Sequence, residues 1–121
     1  MKEKVKKIFE LEASALSQIP VDDNYEKVTE VIYQNIHKKS GKLITSGMGK
    51  AGQIAHNIAT TFSSTGTPAV FLHPSEAQHG DLGILQGNDV LLVISNSGKT
   101  REIIELIDLK NNLFPEVPVI T

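Results

Sequence analysis

Three hydroxyl groups fall within six residues of one segment, SNSGKT, where Ser95, Ser97 and Thr100 stand between a very apolar run, VLLVI, and a helical pattern. Serine and threonine hydroxyls, together with the N–H groups at the start of a helix, can bind the non-bridging oxygens of a phosphate monoester without a metal. Asn96 and Gly98 suit the tight turn this requires, so Ser95, Asn96, Ser97 and Thr100 form the expected phosphate-binding set. Ordinary capping of the following helix by Ser97 would use only one of these hydroxyls and is the plain alternative.

A second segment of the same kind, SGMGKAG from Ser46 to Gly52, also follows a short apolar run and opens a helical pattern. Gly47 and Gly49 would let the backbone approach a ligand closely, and Lys50 offers a mobile cation and hydrogen-bond donor at the strand end. A tight turn with a solvated lysine accounts for the same residues without a ligand. Gly47, Gly49 and Gly52 satisfy GxGxxG, but a dinucleotide site also needs an acid at the end of the second strand, where this chain has His73 and Pro74. A Walker loop fails too, because Val93 stands where its first glycine belongs.

Between these loops, HPSEAQHGDLG (His73 to Gly83) crowds two histidines, Glu76 and Asp81 into one connection. His79 is the stronger candidate for acid/base work or for hydrogen bonding to a sugar oxygen, since a neutral imidazole both donates and accepts near pH 7. A polar surface loop in which Asp81 caps locally is the alternative. Glu102 lies close behind the serine segment, either facing the same cleft or simply favoured by the first-turn helix dipole. The spacing of His73, His79 and Asp81 fits no familiar ligand pattern, so no metal is expected. His37 and His56 fall inside helical patterns and read as surface or packing residues.

The elements that must position these residues alternate. Val5, Ile8, Phe9, Leu11, Leu16 and Ile19 recur at helical spacing and predict a first helix ending at Pro20. Asp23 and Glu26 resemble a capping box, and Tyr25, Val28, Val31, Ile32 and Ile36 predict a second helix running to Ser40 and Gly41. From Lys42 the pattern predicts a strand (KLITS), a helix over 51–62, a strand over 68–72, a strand over 89–95, a helix over 100–109 and a fourth strand over 117–121. The fold class is therefore α/β: one domain over 1–121, with a helical lead-in over 1–40 and then a doubly wound parallel sheet covered by helices on both faces. In the common flavodoxin-like order, the strands leading into Gly47 and into Asn96 are neighbours at the switch point, so one ligand could touch both loops.

Composition narrows the function classes. With 121 residues, 40% of them apolar, and a net charge of -2, the chain is suited to one globular core. No Lys/Arg stripe marks a nucleic-acid surface, and no apolar run approaches a membrane span, so neither partner is expected. The chain has no cysteine, which removes disulfides, thiolate nucleophiles and Cys-based zinc sites and fits a cytoplasmic location. The N-terminus lacks the unbroken apolar stretch of a secretory signal.

The segments GMGKAGQIA, TFSSTGTP, HPSEAQHGDLG and VISNSGKTREI, spread from about Leu43 to Thr121, resemble the sugar isomerase (SIS) domain. Within it they are most similar to the bacterial arabinose-5-phosphate isomerases that serve synthesis of Kdo, an acidic sugar of surface polysaccharides. The resemblance implies reversible aldose–ketose conversion of arabinose 5-phosphate and ribulose 5-phosphate through an enediol, with no cofactor. It implies phosphate binding at Ser95, Ser97 and Thr100, catalytic roles for Lys50, His79 and Glu102, and a homo-oligomer, a tetramer with shared active sites. It also implies a five-stranded sheet with further active-site residues beyond the fourth strand, so that these 121 residues alone should show weak or no isomerase activity. A non-catalytic sugar-phosphate-binding regulatory SIS module, and an isomerase for a different phosphosugar, are the alternatives.

Overall fold

A computed structural model describes all 121 residues. Four strands form one sheet: β1 (Leu43–Gly47), β2 (Ala69–Phe71), β3 (Val90–Ile94) and β4 (Val119–Ile120). Their order is β2-β1-β3-β4 and every pairing is parallel, which is the doubly wound arrangement expected. Parallel neighbours need crossovers, and the helices supplying them cover both faces: α3 (Gly49–Ser64) joins β1 to β2, α4 (Pro74–Ala77) lies between β2 and β3, and α5 (Arg101–Leu113) joins β3 to β4.

Strand residues point alternately to two cores. On one face, Ile44, Leu91 and Val93 pack with Leu72, Ala77, Leu82, Leu85, Ile103, Leu106 and Val117. On the other, Leu43 and Val90 pack with Ile36 and, at the edge of that cluster, Phe62, Leu92 and Ile120. The connection over 73–83, for which a polar surface loop was the alternative reading, contributes to the first core. It contains α4 and a 3₁₀ turn at Asp81–Ile84, and it buries Pro74, Ala77 and Leu82 against the sheet.

The end of the sheet remote from the glycine and serine loops is tied by Asp89, which is fully buried. Its carboxylate accepts the backbone N–H of Lys42 (2.8 Å) and of Gln86 (2.8 Å), and the Lys42 ammonium at 2.6 Å. Lys110 is the other buried charged residue, and its ammonium donates to the Val117 carbonyl at 2.8 Å, fastening α5 to the approach to β4.

The two leading helices hold more surprises. α1 (Lys2–Ser17) buries no residue: Phe9 is 64% and Leu16 68% exposed, so its apolar stripe has no partner within the chain. α2 (Asn24–Ile32) continues as a π-helical turn, Tyr33–Lys38, that brings Ile36 into the core. The capping box expected at Asp23 and Glu26 does not form. Asp23 already has helical dihedrals, so Asp22 does the work instead, accepting the Asn24 N–H at 2.9 Å.

Candidate functional site

All five residues of β1 are buried, and its last polar groups are spent inside the fold. Thr45 Oγ1 donates to the Ala55 carbonyl (2.7 Å), holding α3 on the sheet, and Ser46 Oγ donates to the Leu72 carbonyl (2.6 Å), tying the ends of β1 and β2 together. The chain then turns through Gly49, which has φ +57, and enters α3. Gly52 is required by crowding: a Cβ there would lie 2.5 Å from the Gly47 carbonyl oxygen. Lys50 stands exposed in the first turn of α3, which no side chain caps, so that turn's leading N–H groups have no partner within the helix.

β1 and β3 are neighbours in register, with Gly47 opposite Ile94. The serine loop therefore leaves β3 beside the point where the glycine loop leaves β1, at the switch point of the sheet. Within the loop, Ser95 Oγ accepts the Gly98 N–H (3.0 Å) and Ser97 Oγ accepts the Lys99 N–H (3.1 Å). Ser97 does not cap α5. The helix begins at Arg101 with Thr100 as the extended residue before it, and no side chain bonds its first turn. Gly98 takes φ +65 to close the loop.

His79 and Glu102 approach from the opposite face of the sheet. Gln78, next to His79, donates to Glu105 at 2.6 Å, and Arg101 Nε donates to the other oxygen of the same carboxylate at 2.6 Å. This bridge binds the end of α4 to the first turns of α5, where Glu102 lies half-buried. Arg101 and Gln78 together hold the Glu105 carboxyl below its usual range, and Glu105 in turn raises the guanidinium of Arg101. The glycine loop that leads to Lys50 and the serine loop leave the adjacent ends of β1 and β3, Glu102 lies in the first turn of the helix that follows the serine loop, and His79 is exposed just beyond α4.

Four further side chains gather beside the glycine loop. Gln53 and His56 from α3, Phe71 from β2 and His73 after it surround a cavity of about 330 Å³ floored by Gly47, Gly49 and Gly52. His56 and His73 flank the Phe71 ring at centroid distances of 5.5 and 6.3 Å. His56 is an exposed residue of α3 whose ring packs against Phe71. Its position four residues after Gly52 carried no signal without knowing that Phe71 lies across from it. A larger groove of about 520 Å³ runs between α3 and β2, lined by Thr60, Ser63, Ser64 and Ala69 among others, and adjoins this cavity through His56 and Phe71.

A parallel doubly wound sheet with hydroxyl and lysine loops at its switch point is the arrangement of the SIS domain, and the chain belongs to that family: the SIS domain profile matches residues 36–121. Among curated relatives, arabinose 5-phosphate isomerase KdsD of Francisella tularensis is 47% identical over 93% of this chain, and KdsD of Yersinia pestis is 43% identical over 84%. The chain spans 34% and 30% of those proteins' lengths. A crystal structure from Bacteroides fragilis NCTC 9343, described as a phosphosugar isomerase involved in capsule formation, superposes with a TM-score of 0.96 at 66% identity, covering 98% of this chain and 62% of that one. A structure of c3406 from E. coli CFT073 in complex with arabinose 5-phosphate superposes with a TM-score of 0.76 at 35% identity, covering 92% of this chain and 58% of that one.

Proposed function

We propose that this chain forms part of a phosphosugar aldose–ketose isomerase that interconverts D-arabinose 5-phosphate and D-ribulose 5-phosphate. The observation that supports the reading is the register of β1 on β3, with Gly47 opposite Ile94, so that the glycine and serine loops leave adjacent strand ends. The KdsD relatives and the neighbour solved with arabinose 5-phosphate support the choice of substrate. Phosphate is held by the hydroxyls of Ser95, Ser97 and Thr100, with Asn96 shaping the turn. Isomerisation removes a proton from C2 of the aldose, passes through an enediol and returns a proton to C1, while the hydroxyl proton moves from O2 to O1. Glu102 or His79 carries these protons, and the Lys50 ammonium stabilises the negative charge that develops on oxygen. Hydrogen moves as a proton, so no redox cofactor takes part.

The product, D-arabinose 5-phosphate, serves Kdo synthesis for a surface polysaccharide, in keeping with the capsule role given for the Bacteroides fragilis protein. Homo-oligomerisation belongs to the same proposal and is supported by the unpartnered stripe of α1. A cytoplasmic location is part of it too; no helix is long and apolar enough to cross a membrane.

The test is turnover of arabinose 5-phosphate by the full-length protein, with Lys50→Met, His79→Asn and Glu102→Gln measured singly. Each replacement is expected to lower kcat by about a hundredfold or more, the range of a general acid–base or electrostatic contribution. Unchanged turnover in all three would refute the site. Tight sugar-phosphate binding with neither turnover nor exchange of the C2 proton in D2O would mark a regulatory module instead.

A further inference from the structure

His79 stands in the least anchored stretch of the connection between β2 and β3. Ala77 and Leu82 are held in the core on either side, while residues 78–81 between them are exposed. Gly80 turns the chain with φ +116 and brings no side chain to hold that turn. Within this stretch one side chain makes a hydrogen bond: Gln78 Nε2 donates to Glu105 Oε2 at 2.6 Å. We propose that Glu105 is a positioning residue, which holds Gln78 and Arg101 at once and so sets the His79 segment against the start of α5. The proposal rests on the isomerase reading above, in which His79 and Glu102 serve the proton transfers.

The carboxylate is oriented for this. Arg101 Nε donates to its Oε1 at 2.6 Å, which fixes the rotation of the group and turns Oε2 toward Gln78. Arg101 is the first residue of α5, directly after Thr100 and directly before Glu102. A cation at that end is opposed by the helix dipole, and Glu105 one turn on supplies its counter-charge. Arg101 and then Gln78 hold the Glu105 carboxyl below its usual range, so both donors meet an anion near neutral pH.

Beneath the bridge, Ala77 of α4 and Ile103 and Leu106 of α5 are buried in one cluster. Apolar contact of this kind brings the two helices together but has no direction of its own. Two short charge-assisted bonds fix the register that it leaves open. The phosphate-binding set lies outside this bridge: Ser95 and Ser97 bond within their own loop. Loss of the bridge should therefore appear in the rate rather than in phosphate binding.

The experiment is steady-state turnover of arabinose 5-phosphate by the full-length protein, with competition by inorganic phosphate and a thermal melt for each variant. The variants are Glu105→Gln, Gln78→Glu, the two combined, and Glu105→Gln in a His79→Asn background. Either single change is expected to lower kcat about threefold to fivefold, the rate equivalent of one partly exposed charged contact, with KM and phosphate inhibition changed by less than about twofold. The combined variant exchanges donor and acceptor: the amide at 105 donates to the carboxylate at 78, and its carbonyl oxygen accepts the Arg101 Nε–H. It should recover kcat to within about twofold of wild type. In the His79→Asn background the group being positioned is gone, so Glu105→Gln should cost less than about twofold. Unchanged kcat in both single variants, no recovery in the combined one, or an undiminished loss in the His79→Asn background would overturn the positioning role and leave the isomerase reading intact. A His79→Asn protein with wild-type kcat would remove both.

Discussion

Gly52→Ala should separate the integrity of the fold from that of the site. The added methyl would sit 2.5 Å from the Gly47 carbonyl oxygen and 3.2 Å from its carbon, both backbone atoms, and ordinary contact begins at 3.4 Å. Relief requires the start of α3 to move away from the end of β1 by about 0.9 Å, an overpacking strain of about 1–3 kcal/mol. Alanine returns up to about 1 kcal/mol through its better helix propensity. The net loss of stability, read from urea unfolding, is therefore about 1 kcal/mol. Function should suffer far more, because Gly49 and Lys50 ride on the displaced turn and a shift of about 1 Å can cost a hundredfold in rate. Gly83→Ala is the matched control. A Cβ there meets nothing within 4 Å and its φ is unstrained, so that variant should be neutral or stabilised by about 0.4–1 kcal/mol with full activity. If Gly52→Ala proved as stable and as active as Gly83→Ala, the close approach of α3 to β1 would be refuted.

At the far end of the sheet, Asp89→Ala strands two part-buried backbone N–H groups and the Lys42 ammonium. It should cost about 3 kcal/mol and lower the urea midpoint by roughly 1–2 M, with ligand affinity retained in the remaining folded protein. An unchanged midpoint would show that this network contributes nothing. Lys110 should confer a pH dependence: burial holds its ammonium below the usual 10.5, with Glu116 opposing. Between the folded value and 10.5 the unfolded chain binds more protons than the native one, so unfolding free energy should rise with pH across that window. Lys110→Met should flatten this rise in urea titrations carried up to pH 10.5, and an identical slope in both proteins would contradict the assignment.

The sheet was legible because β1 and β3 are short apolar runs closed by glycine or serine, and because a continuous apolar run such as VLLVI suits a parallel strand covered on both faces. What local pattern could not show was the partner of each face. The stripe of Val5, Ile8, Phe9 and Leu16 predicts a helix correctly, yet the same periodicity would have described a helix packed on the sheet. In the structure α1 packs on nothing. The connection over 73–83 departs in the opposite direction. Its charged residues do face solvent, while Pro74, Ala77 and Leu82, spaced too irregularly for any one period, are buried beneath them.

The serine loop shows how an arrangement legible by residue type can differ in its chemistry. Its hydroxyls were expected to work beside free backbone N–H groups, but Ser95 and Ser97 take the N–H groups of Gly98 and Lys99 for themselves. A hydroxyl oxygen that accepts an N–H keeps its own proton free to donate outward. The loop thereby fixes where those oxygens sit and turns two neutral side chains into oriented donors, at no cost in rearrangement when an oxyanion arrives. The amides left for the ligand are those at the uncapped starts of α3 and α5, one on each side of the switch point. Under the proposed function, phosphate recognition is therefore shared between the hydroxyls of one loop and the helix starts of two. For that sharing, the adjacency of β1 and β3 matters more than either sequence motif.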